Sequence, residues 1–194
     1  MAFSENEFKF FIDLYVRGNN EFDYEKQFFY YYVLFNFLYN FYDDETNPRS
    51  SENERRRKTE EERIKAFVLY VVQSDASCFS NYNPFAQLNI CKYSELITKV
   101  EEKIGKVNMD YSRKSNEKEI KALFIEIYKV RCDIFHGSIS FTNDESRRLL
   151  FACNEVFKRF FDFYFQAFAI NYSKGSDLEE KKWKREFHYL PFFS

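Results

Sequence analysis

At 194 residues the chain is long enough for one domain with a real core and too short to imply two. Its 26 Phe and 15 Tyr stand against only 4 Gly and 3 Pro, a shortage of backbone breakers that favours helices over strands and turns. The net charge of -2 excludes the global basic field of a protein that coats nucleic acid, so any contact with RNA has to be local.

No apolar signal segment follows the polar start Ser4-Glu5-Asn6-Glu7. Cys78, Cys91, Cys132 and Cys153 are scattered without a CxxC pair, so the expectation is a reduced, cytoplasmic protein. A first helix is predicted over Glu5 to Val16, where Phe8, Phe11, Ile12 and Tyr15 recur on one face, with Gly18-Asn19-Asn20 stopping it. Asp23 or a neighbour opens a second helix that runs to about Asp43. Its stretch from Phe28 to Tyr42 is shorter than the ~20 residues a membrane span needs and carries Asn36 and Asn40, so it reads as a buried core helix with no membrane role.

Asp44 to Asn53 is polar and holds Pro48, as an exposed loop would. Thr59 with Glu62 matches a capping box ahead of Ile64, Phe67, Val68, Val71 and Val72, a third helix ending near Gln73. Ser74 to Cys91 reads as a loop or short helical turns, and Leu96, Ile97, Val100 and Ile104 share one face of a helix that Gly105 stops. After a polar connection, Glu117 to Phe135 is strongly amphipathic and closed by Gly137. Thr142 with Glu145 caps the longest helix, which carries Leu149, Leu150, Cys153, Val156, Phe157, Phe160, Phe161 and Tyr164 toward Ile170. Ser176 with Glu179 opens a short charged helix through Trp183 and Phe187. The expectation is one all-α domain over 1–194, a bundle of about five to seven helices without internal repeats.

One residue breaks the pattern. At ~100° per residue, Leu123, Phe124, Ile127, Val130, Ile134 and Phe135 fall within about 80° of one direction, and Arg131 lies near the centre of that core face. A charge there is expensive unless it is paired or opens onto a cleft, and broken local rules tend to mark functional sites. His136 follows in the last turn before Gly137; only it and His188 offer an imidazole. An arginine that snorkels or holds a carboxylate, and a histidine that caps the helix, satisfy the same pattern without function.

The segment Ile127-Tyr128-Lys129-Val130-Arg131-Cys132-Asp133-Ile134-Phe135-His136-Gly137 resembles the R-x4-H signature of HEPN domains. Phe35-Asn36-Phe37-Leu38-Tyr39-Asn40 resembles the aromatic, asparagine-bearing helix that packs beside that signature. The resemblance covers roughly Tyr24 to Tyr164, which it implies as the core of an HEPN-like domain, with the helix near 177–187 as an appendage. It also implies a helical bundle that dimerises with both R-x4-H motifs facing one cleft, in a family rich in RNA-cutting toxins and defence effectors. Arg131 and His136 then inherit the two motif roles. The residue after the arginine is often Asn, Asp or His in catalytic members; here it is Cys132, with Asp133 one place later, and the third polar role is open between them.

These residue types suit cleavage of RNA by its own 2′-hydroxyl, which needs proton transfer and stabilisation of a phosphorane but no metal or cofactor. Histidine, with an ordinary pKa near ~6.5, serves as base or acid, and arginine offers phosphate a planar fork of donors. One motif histidine per subunit supplies one of the two roles, so a homodimeric site would supply both.

Asn36 and Asn40, one turn apart on an apolar helix, either orient Arg131 or contact RNA, or else bond their own neighbourhood. Arg55-Arg56-Arg57-Lys58 could hold phosphate, although Glu60, Glu61 and Glu62 follow directly and favour a solvated helix start. Lys181-Lys182-Trp183-Lys184-Arg185 mixes cations with a ring, as single-strand binding surfaces do, but an amphipathic helix docking Trp183 is the commoner pattern. No metal-ligand spacing and no Gly-rich phosphate loop occur. The leading expectation is a metal-independent endoribonuclease, a toxin or antiviral effector restrained by an antitoxin or regulatory partner. The competing expectations are a non-catalytic HEPN-like module binding RNA, nucleotide or protein, and a plain interaction domain in which Arg131 is a buried ion-pair member.

Overall fold

The computed structural model describes residues 4–47, 58–74, 113–137 and 144–173, and every regular element among them is helical. In chain order these are α1 (Glu5–Asn20), α2 (Tyr24–Thr46), α3 (Glu60–Ser74), α4 (Arg113–Phe135) and α5 (Asp144–Ser173). The helix read through Leu96, Ile97, Val100 and Ile104, the Thr142 end of the capping box read for α5, Arg55 to Arg57, and the helix from Ser176 to Phe187 lie outside the described residues.

Local chemistry sets the ends. Ser4 and Glu7 form a reciprocal capping box at the start of α1, and Asp23 accepts from the backbone N–H groups of Glu25 and Lys26 at the start of α2. Thr59 and Glu62 form the capping box read from the sequence, Glu62 accepting from the Thr59 backbone at 2.7 Å. At the far end of α4, Gly137 takes φ 70, the left-handed conformation that glycine reaches without strain.

One stop signal is corrected. α1 does not end before Gly18-Asn19-Asn20 but passes through all three, and the chain turns extended only at Glu21. Gly18 is there for space: a Cβ at that position would collide with the ring of Tyr31, whose Cδ1 would lie 2.7 Å away. Tyr31 is fully buried and donates its hydroxyl to Asn19 Oδ1 at 2.7 Å, so α1 and α2 close on each other over this residue pair.

α2 is the central element, packed against α1, α3 and α5, while α3 packs on α4. The core takes in Phe8, Phe11, Ile12 and Tyr15 of α1, ahead of Tyr24, and is built chiefly from rings. Phe35 of α2 stacks on Phe124 of α4 at 5.1 Å, and Phe124 meets Phe160 of α5 at 4.6 Å. Phe67 of α3 reaches both Phe35 and Phe160. Each such pair adds about 0.5–1.5 kcal/mol to the area it buries, which lets a glycine-poor, aromatic sequence hold five helices together without small-residue contacts throughout. Buried tyrosines bring hydroxyls that need partners, and Tyr15 donates its own to Asp162. No described helix is long and apolar enough to cross a membrane.

Candidate functional site

α4 changes character along its length. Ile120, Leu123, Phe124, Ile127 and Val130 are buried, as their spacing predicts. Phe135 is not: it is 63% exposed, a correction to its place on the core face. The last turn of α4 carries the chain out of the ring-filled centre, so Arg131, Ile134 and Phe135 form a wall of a cleft instead. That cleft encloses about 440 Å³, with Phe28, Phe29, Tyr30, Tyr32, Val33 and Asn36 of α2 opposite and Leu150 of α5 at its side.

Arg131 is half-buried within this wall. Its guanidinium lies 5.4 Å from the centre of the Tyr32 ring and 4.6 Å from that of Phe135. Its Nε is buried without a hydrogen-bond partner, and no described carboxylate pairs with it. Burial works against the charge, yet a side-chain hydrogen bond with Cys132, and after it the neighbouring Tyr32 and Glu60, outweigh burial and hold the guanidinium above its ordinary range. Arg131 is therefore a cation held between ring faces, on the wall of a mainly apolar cleft whose rim also carries Glu25 and Lys26 of α2.

His136 comes directly after Phe135 and is exposed. Its backbone N–H still donates to Cys132 O at 2.9 Å, so it belongs to the last helical turn, and Gly137 bends the chain away behind it. It is not one of the residues lining the cleft. The structure thus brings Arg131 and Asn36 to one cleft and leaves His136 in solvent next to the Phe135 wall.

The other sequence-read positions separate. Asn40 donates to Asn36 Oδ1 at 2.6 Å and to Asn36 O at 2.8 Å, and its own Oδ1 accepts from Arg63, so Asn40 serves Arg63 rather than Arg131. Lys58 pairs with Asp43 at 2.9 Å, joining the residue before Thr59 to the end of α2. Asp133 and Cys132 are half-buried, and neither lines the cleft. Cys153 is packed in the core, where burial pushes its thiol up to about 12. Among the described residues no group of three His, Cys, Asp or Glu could hold a metal ion.

Sequence reasoning missed the polar cluster behind the cleft. Tyr39 donates to Glu60 Oε1 at 2.5 Å and Tyr32 donates to the same oxygen at 3.4 Å. Burial, reinforced by Glu60, raises both hydroxyls well above the usual tyrosine range. Tyr128 is raised as well, first by its hydrogen bond with Cys132 and then by burial. The signal available was the spacing of Tyr32 and Tyr39, seven residues apart on one face of an apolar helix, which requires polar partners from another element. No protein-family model, no curated protein and no solved structure matches the chain.

Proposed function

We propose that the chain is a metal-independent endoribonuclease of the HEPN type, in which Arg131 binds the scissile phosphate and His136 moves the proton. The observation that supports this reading best is the placement of one guanidinium without a carboxylate partner on a cleft wall, with an exposed imidazole at the end of the same helix. In the reaction the ribose 2′-oxygen bonds to phosphorus while the bond from phosphorus to the 5′-oxygen breaks. A base takes the 2′-hydroxyl proton, an acid returns one to the departing 5′-oxygen, and a cyclic phosphate remains. Arginine donors would stabilise the charge that builds on the phosphorane oxygens. The single motif histidine, His136, fits a two-fold site in which one protomer supplies the base and its partner the acid. An enzyme of this kind would act as a cytoplasmic toxin or antiviral effector restrained by a partner protein.

Purified protein with RNA in excess chelator tests this. Cleavage leaving cyclic-phosphate ends is expected, falling by about 10²–10⁴ in His136→Ala and about 10²–10³ in Arg131→Ala. Full activity in either variant removes that residue from the site, and a monomer by light scattering at working concentration removes the shared-site mechanism.

A second reading rests on a different observation. The cleft walls carry five aromatic rings and His136 is not among the lining residues, which suits a module that holds a nucleotide or RNA base without cutting. RNA that is bound but not cut, with binding weakened in Arg131→Ala, selects it.

A further inference from the structure

A half-buried arginine ordinarily pairs directly with a carboxylate, which uses up its donors. Arg131 does not, although Glu60 lies close enough to favour its charge. Glu60 is the first residue of α3, directly after the capping Thr59, and one of its oxygens accepts the hydroxyls of Tyr39 and Tyr32. The Tyr32 ring in turn lies against the Arg131 guanidinium. The connection runs from a carboxylate on α3, through a ring on α2, to a cation on α4. It passes behind the cleft rather than across it: Tyr32 and Arg131 line the cleft and Glu60 does not.

Two consequences follow. The long, 3.4 Å hydroxyl contact with Glu60 biases the orientation of the Tyr32 ring and so the face it presents to Arg131. The carboxylate acts on the cation electrostatically while one of its oxygens accepts hydroxyls, so the charge is compensated without a carboxylate taking a fork of guanidinium donors.

We propose that Glu60 is a positioning residue that acts through Tyr32, holding Arg131 on the cleft wall, where the guanidinium donors not turned toward Cys132 can take an oxyanion. Resting on the ribonuclease reading, that oxyanion is the phosphodiester of RNA. Glu60 touches neither substrate nor reacting atoms in this role.

Tyr32→Phe in the full chain isolates the effect, because it keeps the ring and deletes only the hydroxyl that reaches Glu60. The readout is the Arg131 Nε–H resonance, assigned by its loss in Arg131→Lys, with the Arg63 resonance as internal control because Arg63 lies over Tyr39 instead. Expected results are a shifted, faster-exchanging Arg131 signal, an Arg63 signal that moves less because it lies over Tyr39 and not over the altered ring, and an unfolding temperature close to that of the parent. RNA cleavage falls roughly 10- to 100-fold through kcat, as for a misplaced catalytic group. Glu60→Gln moves both arginine signals, since it changes the acceptor that Tyr32 and Tyr39 share.

An Arg131 signal that stays put in Tyr32→Phe overturns the proposal, whether or not RNA is cut. An Arg131 signal that responds in a protein that never cuts RNA supports the positioning role and removes the ribonuclease reading, and inorganic phosphate then reports on Arg131 by perturbing the same resonance.

Discussion

Two arginines in this molecule have nearly the same surroundings and different exits. Arg63 lies 5.7 Å from the Tyr39 ring and Arg131 lies 5.4 Å from the Tyr32 ring, and both tyrosines donate to Glu60. Both have a buried Nε with no partner, so that feature by itself separates nothing. What separates them is the remainder of the guanidinium. Arg63 donates to Asn40, which is held in turn by Asn36, and the group closes on itself between α2 and α3. Arg131 meets a second ring, Phe135, and the open cleft. A cation tied to an amide stabilises the fold; one left between rings at a cleft is available to a ligand.

The largest expected difference between the two is in chemistry. On the ribonuclease reading, Arg131→Lys loses the planar fork and lowers cleavage by about 10²-fold or more, measured as the rate of cyclic-phosphate formation. Arg63→Lys leaves that rate within a small factor and lowers the urea midpoint instead, because Asn40 Oδ1 loses its guanidinium donor. Equal loss of cleavage in both variants would dissolve the distinction.

The same contrast runs along α4 and α5 as a difference in stability. Phe157 is fully buried among Phe28, Phe35, Phe124 and Phe161, and Phe157→Ala should destabilise by about 3–5 kcal/mol in urea unfolding. Phe135→Ala, at a residue 63% exposed, should lower stability by no more than about 1 kcal/mol while weakening binding in the cleft. A loss at Phe135 as large as at Phe157 would mean that the end of α4 belongs to the core.

The smallest effects distinguish two glycines. At Gly18 an added methyl meets the immobile Tyr31 ring, so Gly18→Ala should cost about 1–3 kcal/mol despite the better helix propensity of alanine. At Gly137 nothing among the described residues lies within 4 Å of the added methyl, but φ is 70, and Gly137→Ala should cost about 1 kcal/mol from backbone strain. Thermal unfolding of the two variants checks the order.

The parts of the fold that could be read ahead of the structure depend on neighbours in sequence. The caps at Asp23 and Thr59, the α4 terminus at Gly137, and the buried faces of α2, α4 and α5 all follow from spacings of a few residues. Gly18 was misread because a glycine that ends a helix and one that admits a neighbouring ring look alike until α2 is in place. Phe135 was misread because helical periodicity continues past the point where the neighbouring helices stop covering it. Glu60 could not be read at all: its partners Tyr32 and Tyr39 lie 28 and 21 residues away, and beside Glu61 and Glu62 it looks like one more solvated charge.

Arg131 shows where the division falls. Its chemistry and its breach of an apolar face are properties of the chain alone, since period and residue type suffice to identify a charge out of place. Whether that charge is tied off, as Arg63 is, or left facing a cleft depends on its local solvation, which is set by groups from three helices that meet only on folding. Helix formation is a local matter of capping and periodicity. The environment of a buried cation is not, because electrostatic compensation acts through space and disregards the order in which residues were joined.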